Sequence, residues 1–258
     1  MPAIGACCIV FLLTPIAYTV AFSFNDAGRS NLQWRAFTLD NWTNPCGAPR
    51  VCSAVGNSLV IGGFSTLIAT ALGTALAIAL VRHRFRMRSA LDALIFLPMA
   101  TPEVVLGASL LAQFLNLRIT PGFATVLIAH VMFCISFVVV AVKARVSTLD
   151  PRLEEAASDL YSGGTSTFWR ITFPLLLPGI ASAALLAFAI SFDDFIITNF
   201  NSGATDTFPK FVYVSATRGI PPQANVIATT MFLITVVIVV GQQVLAAQRR
   251  RRVEAASA

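Results

Sequence analysis

Two adjacent carboxylates, Asp193 and Asp194, stand in the run SFDDFIITNF at residues 191–200, and a third, Glu103, follows Thr101-Pro102 in LPMATPEVVLG. All three interrupt runs that are otherwise apolar. An aspartate at the centre of a bilayer costs about 2.5–3.5 kcal/mol on insertion scales, so it faces protein, a partner or water. There it holds a cation, carries a proton, or ties helices together by hydrogen bonds. At 100° per residue Ser191, Asp194 and Thr198 share a stripe with the small Ala184 and Ala187, whereas Asp193 falls with Leu186, Ile197 and Phe200. On the premise of a regular helix through residue 198, Asp194 is the first candidate for a water-accessible polar path. Asp193, Ser191, Thr198 and Glu103 complete the candidate set. The alternative has both aspartates near the outer interface, bonding helix to helix. Glu103 likewise has two readings: a group on a path, or a charge complementing a helix N-terminus.

Other chemistries find little support. A membrane enzyme handling metal and diphosphate needs a second carboxylate at helical spacing from the aspartate pair, and DDFII has none. No metal-ligand cluster, phosphate-binding glycine loop or nucleophile elbow is present, and no metal is expected. His83 and His130 lack a sequence-near Cys, Asp or Glu at ligand spacing and read as structural. Cys7, Cys8 and Cys134 read as small buried apolar residues. Cys46 and Cys52, in NPCGAPRVCSAV, form either a disulfide or two unpaired thiols; spacing alone does not set the geometry.

The elements that must position these groups are membrane spans. The chain is 56% hydrophobic and 12% charged, with a mean hydropathy of +0.76, against about 25% charged in soluble domains. Six stretches, approximately 3–23, 56–81, 90–115, 123–144, 179–200 and 224–247, suit a hydrocarbon core that takes about 20 helical residues to cross. The reading is an all-α membrane protein with six transmembrane helices in one domain, 1–258. The first stretch lacks a basic flank and is not expected to be a cleaved signal. Twelve basic residues (Arg82, Arg84, Arg86, Arg88, Lys143, Arg145, Arg152, Arg170 and Arg249–Arg252) fall on one side. Six (Arg29, Arg35, Arg50, Arg118, Lys210 and Arg218) fall on the other. The richer side is cytoplasmic, and an even span count places both termini there. This bias accounts for the net charge of +6 without a nucleic-acid partner, and Arg249–Arg252 read as an anchor beside anionic membrane lipid. In the third span TPE at 101–103 reads as a helix start in mid-membrane, with Thr101 as cap and Pro102 in the first position, so the span is expected to kink or break.

Between the fourth and fifth spans lies a long loop, 145–178. Asp150-Pro151 starts a helix whose apolar Leu153, Ala156, Ala157 and Leu160 recur at helical spacing. Gly163 and Gly164 stop it, and Thr165 can cap a second helix running to Pro174. The run EEAASDLYSGGTSTFWRITFPLLLPGI resembles the signature loop of ATP-binding-cassette (ABC) importer permeases: Glu-Ala-Ala, then a glycine, then an apolar-Pro close. Tyr161 stands where the family has its glycine, the spacing to the proline is one residue longer, and Gly163 takes over the turn. FTLDNW, NSLVIGGFSTLIATALGTALAIAL and LPMATPEVVLG extend the likeness, and SFDDFIITNF with FPKFVYVSATRGIPPQANVIAT resembles the spermidine/putrescine branch.

The resemblance implies a type I ABC importer permease fold, in which the loop carries a coupling helix for a cytoplasmic ATPase, with Glu155, Ala156, Ala157, Leu160, Gly163 and Pro174 as the contact set. It implies two ATPase subunits that bind the ATP, a second homologous permease subunit forming a heterodimer, an extracytoplasmic substrate-binding protein, and residence in a bacterial inner membrane. The chain itself would bind no cofactor and perform no covalent chemistry. The expected function is polyamine import; the alternatives are import of another small solute, or ion-coupled secondary transport with the aspartates as proton sites.

Overall fold

In a computed structural model the described residues are mostly helical, with the helices joined by loops and turns. The structure describes residues 2–27, 31–83, 85–159 and 163–257, with the side chains at 2–4, 6, 158, 238–239 and 242–257 left aside. Leu160, Tyr161 and the side chains of Arg249–Arg252 therefore lie outside the described residues. Two units form: residues 1–52 with 211–258, and residues 53–210.

In the first unit α1 (Pro2–Phe22) packs against α12 (Pro222–Ser257). The segment after α1 folds on three buried asparagines. Asn25 donates to Asn31 Oδ1 and the Gln33 carbonyl, Asn31 to the Phe22 carbonyl, and Asn41 to the carbonyls of Ser23 and Asn25. These amides satisfy backbone groups that leave α1 with no helical partner, which a buried turn requires. Phe24 stacks on Phe37 and Trp42 above them, next to the short α2 (Asp40–Thr43). Cys46 and Cys52 are bonded, their Cα atoms 5.4 Å apart. Cys7 and Cys8 are exposed, not buried as their small apolar character suggests.

The second unit contains α3 (Val51–Arg82, from residue 53), α4 (Arg88–Ala100), α5 (Glu103–Asn116), α6 (Phe123–Ser147), α7 (Arg152–Asp159), α8 (Gly164–Thr167), α9 (Phe173–Asp193), α10 (Ile196–Asn201) and the start of α11 (Phe208–Arg218). Small and β-branched residues fill its centre, Ala69, Ala77, Cys134, Val138, Val139, Val142, Ala183 and Ala187 among them, and bring α3, α6 and α9 close together. Gly73 shows how close: a Cβ there would lie 2.7 Å from Val138 Cγ1. Without a hydrophobic drive between helices in lipid, such backbone approach is what binds them.

Among the described residues, three helices are long and apolar enough to cross a membrane: Val51–Arg82, Phe123–Ser147 and Gly164–Asp193. The expected third span is two helices, α4 and α5, bent by 106° at Thr101-Pro102, and is a fourth crossing if the pair counts as one. Shorter apolar helices, Cys7–Phe22 and Pro222–Val237, stand where the first and sixth spans were expected.

Three local expectations are corrected. Thr101 does not cap α5; its hydroxyl donates back to the Leu97 carbonyl, and Pro102 takes the N-cap position without a capping bond. The second helix of the 145–178 loop does not stop at Pro174, nor is it capped by Thr165. Gly163 is the N-cap of α8, and a π-helical turn at Phe168–Thr172 carries the helix into α9. A proline ring clashes with the carbonyl four residues before it in an α-helix, and a wider turn immediately upstream relieves that clash. The third correction, a break at residues 194–195, shapes the site.

Candidate functional site

The helix α9 ends at Asp193, and Asp194 turns extended. Its carboxylate accepts the N–H of Ile197 through Oδ1 (3.3 Å) and of Thr198 through Oδ2 (2.8 Å), starting α10. Phe195, at the N-cap, has no polar atom for this task, so the preceding aspartate satisfies the orphan N–H groups. The unbroken helix through residue 198, on which the stripe argument rested, is absent. A carboxylate beside free N–H groups competes with the α-helical ladder, and sequence periodicity cannot show which wins.

Ser191, Asp194 and Thr198 nevertheless meet, around a residue that sequence reasoning set aside. His130 of α6 is 2% exposed. Its Nδ1 lies 2.8 Å from Ser191 Oγ, and its Nε2 lies 2.9 Å from Thr198 Oγ1 and 3.2 Å from Asp194 Oδ2. Because the Thr198 hydroxyl donates its one proton to Asp194 Oδ2 (3.0 Å), His130 Nε2 must carry the proton on that side. Ser191 Oγ continues to Ser65 Oγ of α3 at 2.8 Å. The chain of polar groups thus crosses α3, α9, α6 and α10. The signal that could have found His130 was its position: an ionisable residue in the middle of a span is a functional candidate by default.

Asp193 and Glu103 have a different environment. Both are exposed, and among the described residues neither side chain makes a hydrogen bond or ion pair. Together with the Asp194 carboxylate they line a cavity of about 540 Å³, walled by Phe133, Ala189, Ile190, Phe195 and Ile196. Glu103 enters it from the first turn of α5, and α5 is held there by α10. Asn201 Nδ2 donates to the Gly107 carbonyl at 3.2 Å, and a Cβ on Gly107 would come within 2.9 Å of Phe200. Two broken helices therefore present three carboxylates to one space. Asp194 is committed to its own protein, while Asp193 and Glu103 are free to meet a cation. Interrupted helices at a polar cavity are the arrangement by which membrane transporters build solute sites.

The 145–178 segment forms a second polar region. Asp150 Oδ1 accepts the Arg152 N–H at 3.0 Å and starts α7. Of the residues assigned to partner contact, Glu155, Ala156, Gly163 and Pro174 are exposed and Ala157 is buried. The apolar face read from spacing is not turned inward as a unit, since Leu153 is 46% exposed. The residue facing inward beside Ala157 is Glu154. Its Oε1 accepts from Arg82 Nη2 (3.2 Å) and from the Thr172 hydroxyl (3.0 Å). A groove of about 580 Å³ runs beside this junction, lined by Val81, Arg82, Pro151, Glu154, Glu155 and Asp159. Cys46 and Cys52, in the other unit, belong to neither region.

Residues 69–253 match the family described as binding-protein-dependent transport system inner membrane component. Among similar proteins, the spermidine/putrescine transport system permease protein PotC of Haemophilus influenzae is 34% identical, over 87% of this chain and 88% of its own. The putrescine transport system permease protein PotI of Escherichia coli is 36% identical, over 85% and 80%. Among solved structures, a bacterial ABC transporter for the acidic polysaccharide alginate superposes with a TM-score of 0.67 at 16% identity, covering 93% of this chain and 94% of that one. An inward-facing MetNI methionine ABC transporter gives 0.62 at 12%, covering 76% and 95%. At such identities the structural likeness speaks for the fold.

Proposed function

The chain belongs to the family of binding-protein-dependent transport system inner membrane components, and on that premise we propose that it is the permease subunit of an ATP-driven importer of polyamines. The observation that carries the substrate class is the cavity where Asp193 and Glu103 present unpaired carboxylates. A polyamine is a flexible polycation. Its ammonium groups lose hydration on entering the protein, and carboxylates left in contact with water offset that loss without holding the ligand too tightly for release. Relatives named for spermidine and putrescine transport agree with this reading. The fold does not choose the solute, because transporters named for alginate and methionine share it.

In this reading the chain spans the membrane six times with both termini in the cytoplasm, and pairs with a second, homologous permease. Two ATPase subunits bind the ATP, and an external binding protein delivers the solute. The exposed Glu155, Ala156 and Leu153 on α7 are the surface offered to an ATPase groove. Asp194, Ser191 and Thr198 shape the cavity, while Asp193 and Glu103 touch the solute.

The test is purification of the tagged chain from membranes of cells that import labelled putrescine through it. An ATPase should co-purify, and excess spermidine should suppress the uptake. Uptake without any associated ATPase, or uptake that ignores spermidine, contradicts the proposal. The orientation is checked in intact cells with an impermeant thiol reagent. A cysteine at the exposed Ser89 should stay unlabelled and one at the exposed Ala204 should react.

A further inference from the structure

The helix α7 has two faces with different fates. Arg152, Leu153, Glu155, Ala156 and Asp159 are exposed, whereas Ala157 is buried and Glu154 turns inward to the Arg82 and Thr172 side chains. Both donors converge on one oxygen, Glu154 Oε1, and each stands at the end of a long span. Arg82 is the last residue of α3. Thr172 closes the π-helical turn that opens α9. At 1.5 Å per residue, the 21 residues of α9 reach about 30 Å, to Asp193 at the carboxylate cavity. The other span returns to the same place, since Ser65 of α3 bonds to Ser191 of α9 in the His130 network. Among the described residues, Glu154 is thus the one side chain on α7 that grips both helices leading to the cavity.

We infer that Glu154, adjacent to the glutamate of the family signature, is the positioning residue through which displacement of α7 reaches the solute cavity. This rests on the proposed function, in which α7 meets an ATPase. The outer face receives the push, and Glu154 passes it on by holding the ends of α3 and α9 as one body. Two hydrogen bonds to a carboxylate, one of them from a guanidinium, make a directional tie that apolar contact lacks. The buried Ala157 beside Glu154 gives α7 no bulky apolar anchor of its own.

The assay uses the whole importer, purified with its co-expressed subunits and reconstituted in liposomes, and measures labelled putrescine uptake, ATP hydrolysis and subunit composition. Glu154→Gln keeps the shape but weakens both bonds. It should retain the ATPase subunits and continue to hydrolyse ATP, while putrescine moved per ATP falls about tenfold. The exchanged pair Arg82→Glu with Glu154→Arg should recover a large part of that ratio. A ratio within twofold of the parent for Glu154→Gln overturns the inference, as does loss of the ATPase subunits, which would make Glu154 a docking residue. Should Glu154→Gln fail to accumulate, Thr172→Val removes one of the two donors and is judged by the same ratio. Failure of the parent chain to bring down any ATPase would instead sink the proposed function.

Discussion

The two helix breaks that face the cavity are made in opposite ways. Between α4 and α5 the chain breaks at Pro102, whose ring removes an N–H and forbids the α conformation to the residue before it; Thr101 is accordingly extended, with ψ 132°. That break is written into the covalent chain and asks nothing of its neighbours. Between α9 and α10 no proline or glycine intervenes. The chain breaks because Asp194 captures the N–H groups of Ile197 and Thr198, and it keeps that geometry while His130 and Thr198 share the charge. One break is steric and local. The other depends on partners supplied by α6 and α10. The difference teaches that, in the proposed function, the carboxylates that meet the solute, Asp193 and Glu103, are aimed by residues that do not touch it.

If this contrast is right, the largest effect comes from removing the partner of Asp194. His130→Leu leaves a carboxylate buried without its neighbour and should destabilise the protein by about 3–5 kcal/mol. Thermal unfolding of the detergent-solubilised protein reads the change, and a loss under about 1 kcal/mol would mean that Asp194 keeps its geometry without His130. An intermediate effect is expected where α10 packs on α5. In Gly107→Val the new Cβ meets Phe200 Cδ2 at 2.9 Å, forcing a shift that costs about 1–3 kcal/mol in the same assay. The smallest effect belongs to the steric break. Pro102→Ala takes away no hydrogen bond, and α5 stays packed on α10, so stability should change by no more than about 1 kcal/mol. A larger loss there than in His130→Leu would reverse the comparison.

The same contrast marks what the sequence can disclose. The break at Pro102 was legible because proline acts on its own backbone. The apolar helices were legible because solvent imposes composition, and Asp150 was legible as the start of α7 because capping is local. The break at Asp194 was hidden, since an aspartate inside an apolar run looks the same whether it rides on a continuous helix or stops one. What decides is His130, 64 positions earlier in the chain. Asp194, Ser191 and Thr198 were grouped on one stripe, and they do meet, around His130, with Asp194 also lining the cavity. Glu154 was passed over for a related reason: the family likeness draws attention to Glu155, and only the fold shows which of the two glutamates turns inward.

The central claim is that Asp193 and Glu103 form the cation-binding part of the site while the Asp194–His130 network supports it. The most direct measurement is putrescine uptake by the reconstituted importer bearing Asp193→Asn together with Glu103→Gln, alongside the thermal stability of the same preparation. Both side chains are exposed and, among the described residues, unpaired, so stability should stay within about 0.5 kcal/mol of the parent, while uptake at low putrescine falls by at least about tenfold, as the loss of two charge-assisted contacts predicts. Wild-type uptake by the double variant would contradict the account and move the cation site elsewhere in the protein.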